Sequence, residues 1–179
     1  MLQFYSKSKL IDDIDCGYSD WRRRLSNFWD KEYIEIDGFK WPSLEHWFQA
    51  NKFSYKPKYK FYVDKFKKGG TFDVNKRKGY IAKRAGGKGA SKKANVVLDP
   101  NWDNIKCDIM KKGIVARVKQ FTYMKKILNK LKGIHLIHYE NARGKESYWG
   151  AIVRKTGKVG DIFGKNILGK IYMDIITKI

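Results

Sequence analysis

Most hydrophobic residues of this chain recur at the three- and four-residue spacing of an amphipathic helix, and only short segments alternate with the period of a strand. The helical pattern is clearest in residues 120–132 and 166–179. In the first segment the repeating side chains are Phe121, Met124, Ile127, Leu128 and Leu131. In the second they are Ile167, Leu168, Ile171, Ile175 and Ile179. Each segment predicts a helix that buries one side.

Two more helices are predicted from the residues that precede them. Pro42-Ser43 opens the segment LEHWFQANKF, with Ser43 as the N-cap. Asp99-Pro100-Asn101 opens another helix, which Gly113 is expected to bend. The buried side of that helix is predicted to carry Ile105, Ile109, Ile114, Val115 and Val118. The glycine-rich segment 69–93 is predicted to be loop, with one short helix near 78–85.

Strands are few in the predicted structure. LQFY (2–5) and HLIHYE (135–140) are candidate strands, and residues 31–41 predict a hairpin that turns at Asp37-Gly38. Residues 16–30 are polar and aromatic and are predicted to be irregular. Because helices dominate, the sequence predicts the α+β class, as a single compact, mainly helical domain over residues 1–179 with a few short strands.

Composition limits the class of protein and its compartment. Apolar residues make up 42% of the 179 residues and aromatic residues 15%, which is enough to build a core. The chain has no run of 18 apolar residues, and MLQFYSKSKL lacks the apolar centre of a signal peptide, so no membrane contact is expected. Cys16 and Cys107 show no disulfide framework, and a cytoplasmic, intracellular location is expected.

The charge is high and unevenly distributed. Lys and Arg number 39 against 18 Asp and Glu, for a net charge of +21. Residues 65–93 hold eleven of these basic residues and one acid, Asp73, for a net charge of +10. Such a field attracts polyanions, nucleic acid first, but a lysine-rich composition also produces solvated surfaces that need no ligand. Both interpretations of residues 65–93 stay open.

The first predicted helix carries a narrow polar stripe. At 100° per residue, Glu45, Gln49 and Lys52 fall on one face, away from the packing side. The packing side carries Leu44, Trp47, Phe48 and Tyr55. A solvated stripe is the ordinary interpretation. The alternative is chemical, because nearby aromatic rings that exclude water would raise the pKa of a glutamate and lower that of a lysine, which suits both for proton transfer or nucleophilic attack.

Other residues also have two interpretations each. Trp102, Tyr148 and Trp149 either fill the core or form platforms on which a base stacks. Lys165 and Asn166 stand at the start of the last helix, where free N–H groups would seat a phosphate; a plain Asn166 N-cap is the alternative. No metal site is predicted, because the cysteines and histidines lack ligand spacing.

Six segments, in this order, resemble the NADAR family of YbiA-like N-glycosidases. They are FYSKS (4–8), LSNF (25–28), IEIDGFKWPSLEHWFQANKF (34–53), NWDNIKCDIM (101–110), YWG (148–150) and GKNILGKIYMDI (164–175). The block WPS-x-EH-x-FQA-x-KF is the most specific of them. The segments span almost the whole chain.

The resemblance implies a compact α+β fold with a polar cleft and hydrolysis of a bond between a ribose C1 and a nitrogen. Glu45 matches the family's catalytic glutamate, Lys52 the lysine that closes the QA-x-KF motif, and Trp102 the functional tryptophan. Glu146 occupies the position of the usual aspartate, after an insertion-like segment, residues 141–147. The segment between Trp149 and Gly164 is also long for the family, and the two departures put the substrate in question more than the reaction.

Three functions follow as hypotheses: an N-glycosidase that removes ADP-ribose from guanine in nucleic acid, an N-glycosidase of ribosylamine intermediates in riboflavin biosynthesis, and a non-catalytic module that binds NAD, ADP-ribose or nucleic acid. The predicted catalytic residues are Glu45, Lys52 and Glu146, and Lys52 is a candidate for a Schiff base. The predicted substrate-binding residues are Asn27, Phe28, Gln49, Trp102, Tyr148, Trp149, Gly150, Lys165 and Asn166. The partner is a nucleotide-like substrate, an ADP-ribosyl or ribose-phosphate amine, and no cofactor is predicted.

Overall fold

The computed structural model describes residues 1–75, 78–154 and 161–179. In these residues eight α-helices form: α1 (Trp21–Arg24), α2 (Leu44–Asn51), α3 (Lys60–Val63), α4 (Lys78–Ala85), α5 (Lys88–Lys93), α6 (Trp102–Gln120), α7 (Thr122–Lys130) and α8 (Ile167–Ile176). The strands are β1 (Leu2–Phe4), β2 (Ile34–Ile36), β3 (Phe39–Trp41), β4 (Leu136–His138), β5 (Ile152–Val153) and β6 (Ile162–Phe163). Turns of 3-10 helix, Pro57–Tyr59 and Asp64–Phe66, flank α3. The α+β, mainly helical prediction is confirmed.

The described residues group into two compact units. The central unit is Asn27–Gln120, and the terminal unit combines Met1–Ser26 with Phe121–Ile179. The single domain over residues 1–179 stays a prediction. No helix in the described ranges is both long and apolar enough to cross a membrane. Two parts of the sequence predictions lie outside the described residues: 76–77 of the basic segment and 155–160 of the long segment.

The hairpin of the central unit forms where the sequence predicts it. Strands β2 and β3 pair antiparallel, with Ile34 opposite Trp41. Asp37 and Gly38 both have positive φ, 54° and 76°, which gives a two-residue turn whose twist matches the strands. The Trp41 ring then packs edge-on against Trp47, at a centroid distance of 5.4 Å.

Ser43 begins α2 as the predicted N-cap, with its Oγ accepting the backbone N–H of His46. The His46 ring is buried, with Nε2 3.1 Å from the Phe72 carbonyl and Nδ1 2.8 Å from Ser43 Oγ. Because a carbonyl only accepts, Nε2 carries the hydrogen and Nδ1 accepts from the Ser43 hydroxyl. The helix ends at Asn51, so Tyr55 lies beyond it and not on its packing side.

Helix α6 runs without interruption through Gly113, and a bend there stays a prediction. The glycine permits close packing of α6 on α2. A Cβ at position 113 would lie 2.3 Å from Leu44 Cδ1 and 2.8 Å from Trp47 Cδ1. On the predicted buried side Ile114 and Val118 are buried. The half-buried members are Ile105, Ile109 and Val115.

The basic, glycine-rich segment holds two helices where one was predicted. Helix α4 confirms the helix expected near 78–85. Helix α5 was missed because its sequence, KGASKK, has no hydrophobic period, and the structure buries none of its residues. The segment therefore places its lysines on helices as well as in loops.

In the terminal unit, β1 and β4 pair in parallel, with Leu2 opposite Leu136, which confirms both strand predictions. Helix α8 packs on β4 through Asn166. The Asn166 amide donates to the Leu136 carbonyl at 2.8 Å, and its oxygen accepts the N–H of His138 at 2.9 Å. Asn166 occupies the N-cap position without a side-chain cap bond, so the plain N-cap interpretation is wrong.

Residues 16–30 are less irregular than predicted. They contain the single helical turn α1, which buries Trp21. The indole nitrogen of Trp21 donates to Asp13 at 3.1 Å, and the Arg22 guanidinium lies over the same ring at 4.3 Å. A turn this short has no hydrophobic period that a sequence pattern would reveal.

Candidate functional site

The two members of the polar stripe that lie on α2, Glu45 and Gln49, are buried, and Lys52 just beyond the helix is half-buried, so the interpretation as a solvated face is wrong. Glu45 is 5% exposed and Gln49 4% exposed, and every residue of α2 before Asn51 is buried. The helix lies between α4 and α6, which cover the sides that a surface helix would leave to water. A carboxylate held in such a place requires polar partners, because an unpaired buried charge is strongly disfavoured.

Gln49 supplies one partner for Glu45. Its Nε2 donates to Glu45 Oε1 at 2.7 Å, across one turn of helix. The backbone N–H of Glu45 donates to the carbonyl of Asn27 at 2.9 Å, which places Asn27 beside the start of α2. Two side-chain oxygens here, Gln49 Oε1 and Asn27 Oδ1, are buried and have no hydrogen-bond partner among the described residues. They are acceptors that a ligand hydroxyl or amine would satisfy.

Lys52 follows α2 directly and points its amine into the same region. Its Nζ donates to the Gly86 carbonyl at 3.1 Å. Burial lowers the pKa of Lys52; the Glu45 carboxylate opposes that shift, and the charge of Lys83 adds to it. The amine therefore loses its proton more readily than an exposed lysine, as a nucleophilic lysine requires.

Two aromatic rings lie beside the Lys52 amine. Its Nζ is 6.0 Å from the Phe48 ring centroid and 5.9 Å from that of Trp102. Attraction to the rings favours the charged amine, but both distances are at the outer limit of a cation–π contact, so burial decides the direction of the pKa. The two rings pack on each other at 5.0 Å, and Trp102 is buried. Base stacking on Trp102 stays a prediction, because the core-filling contact is the one the structure shows.

Helix α4 approaches this site through two glycines. A Cβ at Gly86, just past the end of α4, would lie 1.7 Å from Gln49 Oε1. A Cβ at Gly79 would lie 2.6 Å from the Phe28 ring. The two glycines are seven residues apart and so share one face of the helix. This face brings the backbone of the basic segment into contact with Gln49 and Lys52.

The remaining predicted site residues belong to the terminal unit. Glu146 is exposed, whereas Ser147 is buried, and its Oγ donates to Glu140 at 2.5 Å. The half-buried rings of Tyr148 and Trp149 meet edge-on at 5.2 Å. Gly150 is buried, and a Cβ there would lie 2.5 Å from the Cβ of Glu140, so Gly150 has a packing role.

The start of α8 is not the open phosphate seat that the sequence suggested. The backbone N–H groups of residues 165–168 all donate to carbonyls of residues 147–150, at 2.8 to 3.2 Å. Both polar atoms of the Asn166 side chain are occupied by β4. Lys165 is exposed, with its Nζ 5.8 Å from the Tyr148 ring centroid. A phosphate contact by Lys165 stays a prediction, without the free helix N-terminus that motivated it.

Sequence reasoning missed Gly86 and Lys83, which the structure places at the Lys52 amine. The one sequence signal for this contact was the pair Gly79 and Gly86, seven residues apart, with Ala82 on the same side of the helix. Small residues at that spacing permit close helix packing but do not name the neighbour. No group of three or more His, Cys, Asp or Glu side chains in the described part of the chain is placed to hold a metal ion.

Comparison with known sequences gives one consistent result. The NADAR domain matches residues 4–179. N-glycosidase YbiA of Escherichia coli (strain K12) is 29% identical over 178 residues, which cover 98% of this chain and 86% of that protein. N-glycosidase YbiA of Shigella flexneri serotype 5b (strain 8401) is 28% identical over 176 residues, with the same two shares.

Comparison with solved structures agrees. The NMR structure of the E. coli protein YbiA matches with a TM-score of 0.64 at 25% sequence identity. The match covers 99% of this chain and 83% of that chain. The resemblance noted from six sequence segments is therefore supported by both sequence and fold.

Proposed function

Because the chain belongs to the NADAR family, we propose that it is an N-glycosidase that removes ADP-ribose from guanine in nucleic acid. Its relatives are named N-glycosidases, and a hydrolase of N-glycosyl bonds is the coarser statement that these names support. The observation that carries the finer proposal is the contact between the basic segment and the buried stripe of α2, through Gly86 and Lys52.

That contact connects the lysines of the basic segment with the candidate site. Helix α4 precedes Gly86 in the chain and α5 follows it, and the charge of Lys83 on α4 acts on the Lys52 amine. The exposed cations of this part of the segment are Lys83, Arg84, Lys88, Lys92 and Lys93. A polyanionic substrate gains affinity from such a cluster, whereas a small ribosylamine with one phosphate would use little of it.

Glu45 is the proposed acid and charge-stabilising group. Breaking the bond between ribose C1 and nitrogen develops positive charge at C1, and the leaving nitrogen must receive a proton. Glu45 is buried and held by Gln49, so it keeps one orientation while either task is performed. The unpaired oxygens of Gln49 and Asn27 would accept hydrogen bonds from ribose hydroxyls or the leaving amine.

Lys52 is the proposed nucleophile. The ribosylamine ring opens by cleavage of the bond between C1 and the ring oxygen. The proton on the guanine nitrogen passes to that oxygen, and an imine forms between C1 and the nitrogen. The uncharged Lys52 amine adds to C1, the guanine amine departs with a proton, and an imine joins Lys52 to the sugar. One water then hydrolyses that imine, which returns the lysine amine and releases the sugar aldehyde. Direct attack of water on a charged C1, stabilised by Glu45, is the alternative route.

The test follows release of ADP-ribose by mass spectrometry from an oligonucleotide that carries ADP-ribose on guanine. The parent protein is expected to release it, and Glu45→Gln to be slower by about 10²–10⁴-fold with its fold intact. Borohydride is expected to trap the sugar on the parent and not on Lys52→Ala. If the parent protein released no ADP-ribose, the proposal of a nucleic-acid substrate would be wrong. Ribosylaminopyrimidine phosphates would then be assayed in the same way.

A further inference from the structure

Two exposed aromatic rings at the hairpin of the central unit are unexplained by the core. Phe39 is 47% exposed and Tyr33 is 37% exposed. A lysine lies over each ring: Lys67 Nζ is 3.3 Å from the Phe39 centroid and Lys68 Nζ is 4.9 Å from the Tyr33 centroid. The Tyr33 ring has a second lysine, Lys78, at 5.1 Å. These five residues are called the hairpin face.

The hairpin face is built by specific contacts. The backbone N–H of Lys68 donates to the carbonyl of Lys40 in β3 at 2.8 Å, which fixes the lysine segment beside the hairpin. The Tyr33 hydroxyl donates to Asp73 at 2.9 Å, and the N–H of Gly69 donates to the same carboxylate at 3.0 Å. These bonds hold the Tyr33 ring and the backbone of the lysine segment in place before any ligand arrives.

Acidic residues neutralise only part of this charge. Asp64 pairs with Lys67 at 2.7 Å, and Asp73 pairs with Lys78 at 3.1 Å. Lys68 is exposed and makes no ion pair among the described residues. The face thus combines a surplus cation with two accessible rings, the combination that binds unpaired bases together with their phosphates.

We propose that the hairpin face binds single-stranded nucleic acid on one side of the modified guanine. Bases stack on Tyr33 and Phe39, and Lys68 contacts the phosphate between them. A duplex would not be bound in this way, because its bases are stacked on each other and present no free faces. The proposal rests on the proposed function for its substrate and extends it by naming a second contact surface and the strand state.

The distance to the candidate site sets which nucleotides the face reaches. Lys78 is the first residue of α4, and Gly86 follows eight residues later at the Lys52 amine. At about 1.5 Å per residue the helix spans about 12 Å. A stacked strand rises about 3.4 Å per nucleotide and an extended strand rises more, so at most three to four nucleotides separate the two places. The face therefore contacts nucleotides beyond the modified one.

The test measures binding of an unmodified, fluorescently labelled single-stranded oligonucleotide of about twelve nucleotides, within the range of single-strand site sizes. Tyr33→Ala and Phe39→Ala are each expected to weaken binding roughly tenfold, since one stacked base is lost in each. Tyr33→Phe and Phe39→Trp keep a ring and are expected to restore the affinity. The matched control is Phe61→Ala, which removes a ring that is 53% exposed and has Lys65 at 6.0 Å. It should bind like the parent.

Several outcomes would overturn the hairpin face. They are equal binding by the alanine variants and the parent, an equal loss in Phe61→Ala, and duplex binding as tight as single-strand binding. Binding of unmodified strands needs no turnover, so the two proposals can fail separately. If binding depends on the two rings but the protein releases no ADP-ribose, the hairpin face stands and the proposed function is wrong. If the double variant with alanine at Tyr33 and Phe39 released ADP-ribose from oligonucleotides with the kcat/KM of the parent, the hairpin face would be wrong and the proposed function would stand.

Discussion

Gly86 and Gln49 approach each other so closely that a Cβ at position 86 would lie 1.7 Å from Gln49 Oε1. The same glycine accepts a hydrogen bond from Lys52 at 3.1 Å through its carbonyl. Gln49 in turn donates to Glu45 at 2.7 Å. One glycine of the basic segment therefore sets the position of the amide that holds the candidate acid and touches the candidate nucleophile.

Gly86→Ala is expected to displace the Gln49 amide or push the start of α5 away, because neither backbone nor a buried amide yields easily. We expect turnover to fall at least tenfold, with about 1–3 kcal/mol lost from the free energy of unfolding, as for other overpacked sites. The control is Gly89→Ala, since a Cβ at Gly89 meets nothing within 4 Å. It should keep activity and be slightly more stable, because alanine favours the helix. Equal activity of the two variants would contradict the positioning role of Gly86.

The lowered pKa of Lys52 predicts how turnover depends on pH. Burial favours the uncharged amine, so turnover should rise with pH through an apparent pKa below the ordinary value of 10.5. Lys52→Arg should not restore the reaction, because arginine stays charged and forms no imine. Measurement of kcat from pH 5 to 10, with circular dichroism at each pH, checks the prediction. Substantial turnover by Lys52→Arg would remove the imine route and favour direct attack by water.

Buried His46 predicts loss of stability in mild acid. Burial lowers its pKa below 6.5 in the folded protein. Between that lowered pKa and 6.5 the unfolded chain binds a proton that the folded chain does not, so the free energy of unfolding falls as pH decreases, by at most about 1.4 kcal/mol per pH unit. Urea unfolding from pH 7 to 5 should show a weaker pH dependence in His46→Gln. His135→Gln, which removes an exposed histidine, should follow the parent, and a parallel change in both variants would contradict the assignment.

The lysines of α5 predict a salt-dependent affinity for oligonucleotides. Replacement of Lys88, Lys92 and Lys93 by alanine should weaken binding and reduce the slope of log K against log salt by roughly two, since each phosphate contact on a single strand contributes about 0.7. The control removes the same charge elsewhere, through alanine at Lys9, Lys125 and Lys170, which are also exposed. If both triple variants lost the same affinity and slope, net charge alone would explain binding and the position of α5 would be irrelevant.

The sequence by itself determined the elements whose signals are local. The turn at Asp37-Gly38 and the Ser43 cap depend on neighbours within a few residues, and both formed as predicted. The period of α8 buries Leu168, Ile171 and Ile175 as predicted, but the helix ends at Ile176 and Ile179 is exposed. The stripe of Glu45, Gln49 and Lys52 was also visible, because it follows from helix geometry alone. The six segments that resemble the NADAR family added the reaction class, which the match over residues 4–179 supports.

Only the tertiary structure decided whether that stripe faces water or the interior. A helical wheel fixes which residues share a face, but burial depends on what packs there, and α4 and α6 come from distant parts of the chain. The same reason explains Gly113 and Gly86, whose missing side chains matter because Trp47 and Gln49 fill the space. It also explains the start of α8. The sequence suggested free N–H groups there, but in the structure they donate to carbonyls of residues 147–150. Local pattern sets secondary structure, whereas the burial that shifts the pKa of Lys52 exists only once distant segments exclude water together.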